Sequence, residues 1–181
     1  IAKFPNLIYL IIGQTHPVVR KREGEKYRTF LEKKAESLGL QEHVKFYNKY
    51  LTLNEITKYL KATDVYISSA INPNQIVSGT LSYALGCGRP VISTPFLHAK
   101  EAVSRERGIL CEFSSPKSFA ESIIKLLSDT DLKDRMGMNA YYYTRHMTWP
   151  NVALAYMEVF NKYTSIMEKP LSALPKVKFS H

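Results

Sequence analysis

Residues 64–94 read DVYISSAINPNQIVSGTLSYALGCGRPVIST. The stretch opens on a short β-rich run, Val65 to Ser68, and closes on another, Val91 to Thr94. Between them lie a polar loop and a helical segment, Ser78 to Gly86. Strand, loop, helix and strand within about 30 residues make a βαβ crossover, the connection that joins parallel strands.

The alternation continues on both sides. Further strands are predicted at Leu7 to Ile12 (LIYLII), Val44 to Tyr47 and Ile109 to Phe113. A helix is predicted from Glu23 to Leu38, where Tyr27, Phe30, Leu31, Ala35 and Leu38 share one stripe and Gly39 supplies a terminator. Thr52-Leu53-Asn54-Glu55 fits a capping box, followed by Ile56 and Leu60 at core spacing. A short helix is predicted over Ala99 to Ser104. Another opens at Ser115-Pro116, with Phe119, Ile123 and Leu127 beneath. The order βαβαβαβαβα predicts an α/β fold, a Rossmann-like parallel sheet with flanking helices. After Asp129 two helices follow, Leu132 to His146 and Pro150 to Tyr163, and then an aperiodic tail with two prolines.

The composition of 181 residues, 45% hydrophobic and 23% charged, excludes disorder and low complexity and suits one compact domain. The longest apolar run, Leu7 to Ile12, is far short of the ~20 residues of a membrane-crossing helix. Lys and Arg exceed Asp and Glu by 25 to 16, a formal charge of +9 that favours an anionic partner and leaves a membrane surface open as one. The densest basic stretch, Arg20 to Lys34, is interleaved with Glu23, Glu25 and Glu32 and reads as a solvated helix face with i,i+4 pairs. It lacks the aromatic interleaving of a nucleic-acid reader. Cys87 and Cys111 make no disulfide framework and stand at no zinc-ligand spacing, so no metal is expected and a reducing, cytoplasmic compartment is. The opening Ile1-Ala2-Lys3-Phe4-Pro5 reads as the interior of a longer gene product.

In an open parallel sheet, ligands bind beyond the carboxyl ends of the strands, where helix N-termini present free amides. The loop Ile71 to Thr80 leaves the VYIS strand and feeds a helix beginning Ser78-Gly79-Thr80, which suits a diphosphate; a plain serine cap is the alternative. Gly13-Gln14-Thr15-His16-Pro17 exits the LIYLII strand on the same kind of edge, as do His98 and Glu101 after VIST, and His16, His98 and Glu101 read equally as surface polar residues. No catalytic triad, paired-carboxylate spacing or P-loop is present.

Taken together, three stretches resemble the C-terminal domain of family 4 retaining glycosyltransferases: Phe4 to Gly13, Asp64 to Ser69 and Leu81 to Thr94. The likeness continues through Arg107-Gly108-Ile109-Leu110 and ends near Trp149-Pro150-Asn151-Val152-Ala153. The resemblance implies one half of the GT-B architecture, in which two Rossmann-like domains face across a cleft and the C-terminal one holds a nucleotide-diphosphate sugar. It implies transfer of a sugar, with retention, to an acceptor alcohol, carbohydrate or lipid-linked, at the cytoplasm or the inner face of a membrane. No cofactor and no obligatory metal are implied.

By resemblance, the donor diphosphate falls near Val77, Ser78, Gly79 and Thr80, and the nucleobase near Asn48 and Tyr50. Asn74, Gln75 and Ser82 fall near the donor sugar or ribose, with Gly13, His16 and Glu101 as further cleft-edge candidates. The family's two signature glutamates match Asn74 and Ser82, neither of them acidic. That departure favours a non-catalytic nucleotide-sugar-binding or assembly module as the alternative; a nucleic-acid-binding domain and an epimerase on the same architecture rank lower. Residues 1–146 are expected to form the donor domain, 147–166 a helix crossing toward an N-terminal acceptor domain, and 167–181 an irregular tail. By the resemblance, the family's Gly-Arg and Lys that grip the diphosphate, the acceptor domain and the central first strand of the sheet would all lie before residue 1. The chain alone is therefore expected to be inactive, and not to fold natively unless another segment fills the gap or its two halves close onto each other. Its sheet should then either leave a slot beside Leu7 to Ile12 or pair that strand with Val65 to Ser68.

Overall fold

The computed structural model describes residues 3–167. The chain divides between Ile56 and Thr57 into two compact units. The first holds β1 (Tyr9–Ile12), α1 (Pro17–Glu23), α2 (Lys26–Ser37) and β2 (Val44–Tyr47), and α3 (Leu53–Ala62) runs across the division. The second holds β3 (Tyr66–Ser68), α4 (Gly79–Gly86), β4 (Val91–Ser93), α5 (Leu97–Ala102), β5 (Gly108–Leu110), α6 (Pro116–Ser128) and α7 (Thr130–Tyr143). A 3₁₀ turn over Arg145–Met147 then leads into α8 (Trp149–Met167). The class is α/β, with parallel sheets flanked by helices.

All strand pairs are parallel. Tyr9 stands opposite Val44 in the pair β1-β2; in the order β3-β4-β5, Val91 stands between Tyr66 and Gly108. Within the first unit β1 and β2 form a two-stranded sheet, and within the second β3, β4 and β5 form a three-stranded one.

In the second unit β4 is central and wholly buried, and the period of two along a strand sends its side chains into two cores. Val91 joins Leu81, Leu85, Phe96, Ala99, Ala102, Val103 and Ala140 on one face, while Ile92 joins Cys111, Leu126 and Met136 on the other. Leu126, rather than the expected Leu127, is the fully buried leucine of α6, because Phe119, Ser122, Ile123 and Leu126 share the inward stripe. Gly108 lets β5 approach β4: a Cβ there would lie 2.2 Å from the Val91 carbonyl oxygen.

In the first unit the helix expected from Glu23 to Leu38 is α2, which begins three residues later, at Lys26, and α1 ahead of it is a further helix that no apolar stripe announced. Pro17 fits the first turn of α1, His16 caps it by accepting the Val18 N–H at 3.3 Å, and Gly24 ends it at φ +66°. The basic stretch is also less uniform than a solvated face. Glu25 takes the Thr15 hydroxyl and pairs with Arg20 at 3.2 Å and Arg28 at 3.7 Å. Arg28 turns inward and donates to the Gly13 carbonyl, holding the loop after β1.

α5 begins two residues earlier than expected, at Leu97, and α7 stops at Tyr143, where the 3₁₀ turn begins after Thr144. Tyr156, Val159, Phe160 and Tyr163 of the predicted apolar stripe lie exposed along α8. No helix among the described residues is long and apolar enough to cross a membrane. The predicted tail lies, from residue 168 on, outside the described residues.

Candidate functional site at the start of helix α4

Residues 69–78 leave the carboxyl end of β3 and deliver the chain to α4. Ser78 caps the helix in an extended conformation, its Oγ accepting the Leu81 N–H at 3.4 Å. The N–H groups of Gly79 and Thr80 find no acceptor among the described residues, and both residues are exposed. A Cβ added at Gly79 would meet nothing within 4 Å, so the approach to these amides is open. Unsatisfied N–H groups at the positive end of a helix attract an anion.

Two hydroxyls stand beside them. The Tyr66 phenol on β3 donates to Thr80 Oγ1 at 2.9 Å, and Thr80 Oγ1 lies 3.5 Å from Ser78 Oγ. Burial raises the Tyr66 pKa above its ordinary 10, with the bond to Thr80 pulling the other way. The phenol therefore keeps its proton at neutral pH, and the Thr80 hydroxyl, already accepting, is left to donate.

The loop that carries this site is fastened to its neighbour. α5 has no side-chain cap; its first amides are satisfied by loop carbonyls, Leu97 N–H donating to Pro73 O at 3.0 Å and His98 N–H to Gln75 O at 3.2 Å. The His98 side chain returns to the loop, Nδ1 accepting the Ser78 N–H at 2.9 Å. Within the loop Asn74 N–H donates to Asn72 Oδ1 at 3.0 Å, and Gln75 Nε2 to the Val77 carbonyl at 3.1 Å.

The sequence-predicted residues thus differ in standing. Gly79 and Thr80 offer free amides, whereas the Ser78 amide is engaged by His98. Val77 is 72% exposed. Asn74 is exposed, Gln75 half-buried, and Ser82 is half-buried one turn into α4, where its Oγ donates to the Ser78 carbonyl at 3.3 Å. Glu101 is exposed near the end of α5.

In the first unit, Gly13 and His16 follow β1, with His16 acting as the cap of α1. Asn48 and Tyr50 follow β2, and Tyr50 is 79% exposed. Next to them Lys49 donates to Glu55 at 2.7 Å, and Thr52 N–H and hydroxyl both donate to the same carboxylate at 2.9 Å. The Lys49 bond first, then the Thr52 bonds, hold the Glu55 pKa down at about 2 against an ordinary 4.5. A shallow groove of about 390 Å³ between α2 and β2, lined by Thr29, Lys33, Glu36, Gln41, Val44 and Phe46 among others, contains none of the predicted site residues.

Sequence reading missed three side chains that shape these edges: the Ser78 clasp of His98, the Thr80 contact of Tyr66 and the inward turn of Arg28. His98 had a partial signal, being a histidine at the exit of a strand, but its partner lies twenty positions earlier.

A family described as "Glycosyl transferases group 1" matches residues 1–143. An uncharacterized glycosyltransferase of Methanocaldococcus jannaschii is 30% identical over 105 residues, 57% of this chain and 26% of that protein. A D-inositol 3-phosphate glycosyltransferase of Corynebacterium urealyticum is 27% identical over 141 residues, 77% of this chain and 32% of that protein. The chain therefore spans about a quarter to a third of the length of these curated relatives. Among solved structures, the C-terminal domain of a group 1 glycosyl transferase from Francisella tularensis shares the fold with a TM-score of 0.68 at 24% identity, over 79% of this chain and 70% of that one. Anabaena HepE, solved in complex with UDP, superposes with a TM-score of 0.73 at 19% identity, over 89% of this chain and 42% of that one.

Proposed function

The chain belongs to the glycosyl transferases group 1 family, and from that premise we propose that it is the donor-binding half of a retaining, family 4 type hexosyltransferase. Its fold is that of a GT-B C-terminal domain. The observation that carries the proposal is the start of α4, where the Gly79 and Thr80 amides and the Thr80 hydroxyl are open at the carboxyl edge of a parallel sheet. When the sugar leaves, negative charge grows on the diphosphate, and fixed amide dipoles stabilise that charge without having to reorganise.

Residues 1–146 are the donor domain in this reading, with 147–166 reaching toward an N-terminal acceptor domain. Asn48 and Tyr50 take the nucleobase, and Asn74, Gln75 and Ser82 the sugar and ribose hydroxyls. The acceptor is a carbohydrate or lipid-linked alcohol at the cytoplasmic side, and neither a metal nor a cofactor takes part. Asn74 and Ser82 stand in for the signature glutamates; a neutral hydrogen bond contributes about 0.5–1.5 kcal/mol against about 1.5–3 for a charged one, so each exchange weakens donor binding about tenfold.

Those two exchanges also favour a second reading, a module that binds nucleotide sugars without transferring them. The test is a thermal-shift panel of UDP, GDP and ADP and their glucose conjugates. UDP comes first because Anabaena HepE was solved with it. At a hundredfold excess over the dissociation constant, a true ligand stabilises the protein by about 2.7 kcal/mol. No shift with any member refutes donor binding. A shift without sugar release or transfer in the full protein selects the binding module.

A further inference from the structure

The cap amide of α4 is engaged by a side chain outside the predicted diphosphate set. Ser78 is 9% exposed, and its N–H meets His98 Nδ1 at 2.9 Å. A backbone N–H can only donate, so Nδ1 accepts and the neutral ring carries its proton on Nε2. Around this bond the Leu97 and His98 amides hold the Pro73 and Gln75 carbonyls, and Thr94 Oγ1 donates to the Ala70 carbonyl at 2.6 Å. The polar loop is thus tied to the exit of β4 at both ends and in the middle. His98 supplies the only side-chain tie to the cap residue from α5 among the described residues.

We infer that His98 is a positioning residue for the donor site: its Nδ1 fixes the Ser78 peptide and so orients the Gly79 and Thr80 amides that follow. The inference rests on the donor-binding reading above. It assigns His98 no contact with substrate. The consequence is conformational. Without an acceptor the buried Ser78 N–H must find water or move, residues 72–78 sample other arrangements, and apparent affinity falls in proportion to the fraction that stays competent.

The test separates the acceptor atom from mere bulk. An Asn side chain can offer an oxygen close to the place of Nδ1, whereas Gln offers its polar end farther out and Ala offers none. UDP, GDP and ADP are titrated into the full protein carrying His98→Ala, His98→Gln or His98→Asn, and exchange of the Ser78 amide is followed by NMR. For whichever nucleotide binds the wild type, affinity falls about tenfold in the Ala and Gln variants, the effect of one neutral hydrogen bond, and recovers in Asn. Ser78 amide exchange accelerates in the Ala and Gln variants and is restored in Asn. Equal affinity across all four proteins, or a loss in Asn matching that in Ala, overturns the role. If the wild type binds none of the three nucleotides, the donor reading fails and the role assigned to His98 falls with it; protection of the Ser78 amide lost in Ala and kept in Asn would then leave a structural clasp alone.

Discussion

Replacing Gly79 with valine separates binding from folding at the start of α4. A Cβ at Gly79 meets nothing within 4 Å, and its backbone is not in the left-handed region, so the folded chain has room for the new side chain. Valine is also a better helix former than glycine by about 0.5 kcal/mol. The melting temperature should therefore stay within about 2 °C of the wild type. Binding has no such freedom. A phosphate oxygen bonded to the Gly79 amide sits about 2.8 Å from the nitrogen, within the sweep of the valine methyl groups. Hydrogen bonds to a charged acceptor contribute about 1.5–3 kcal/mol, so losing one weakens binding about 10- to 150-fold. Calorimetric titration of UDP into both proteins, with their melting curves alongside, gives the two numbers. Unchanged UDP affinity in a folded Gly79→Val variant would show that no phosphate rests on this amide.

Gly108→Ala provides the opposite control: its Cβ would lie 2.2 Å from the Val91 carbonyl oxygen and 2.8 Å from Val103 Cγ1. Overpacking of this kind destabilises by about 1–3 kcal/mol, so the variant should melt several degrees lower, and an unchanged melting curve would contradict the β4-β5 approach. Ser82→Glu should tighten UDP binding, by about tenfold at most, if Ser82 occupies the ribose-binding glutamate position; weaker binding in a folded variant would show that the register is wrong. Glu55 tests the α3 cap by pH. Its folded pKa of about 2 lies below the ordinary 4.5, so its contribution is fully present above pH 4.5 and is lost as pH falls through about 2. An NMR titration of its carboxyl with a midpoint near 4.5 would rule out the bonds from Lys49 and Thr52.

Elements whose instructions are local were legible. Thr52 and Glu55 form the capping box as read, Ser115 caps α6, and β2 occupies the residues expected of it. Errors arose where one residue could serve two patterns. The stripe from Tyr27 to Leu38 is α2 as expected, but Pro17 can open a helix as well as a turn and Gly24 can end one at positive φ, so α1 stands ahead of it without an apolar stripe to announce it. Periodicity alone also assumed that Phe30 and Tyr27 would be covered, and both are exposed in the structure. Leu126 displaced Leu127 for a smaller reason: neighbours on a helix are about 100° apart, and only the packing of α6 against β4 decides which faces inward.

The site divides along the same line. Ser78-Gly79-Thr80 announces a capped helix start from sequence alone, because serine at a cap is a local preference. How many of those amides are available is not a local property. His98, twenty residues on, takes the Ser78 N–H, while Tyr66, fourteen residues back from Thr80, supplies the Thr80 hydroxyl with a donor. A reading from the motif counts every amide at the helix start as open to an anion. The fold engages one of them and thereby fixes the direction of the next two, so the clasp narrows the site while making what remains of it rigid. A diphosphate bound there would meet Gly79 and Thr80 already aligned, which reduces the ordering cost of binding.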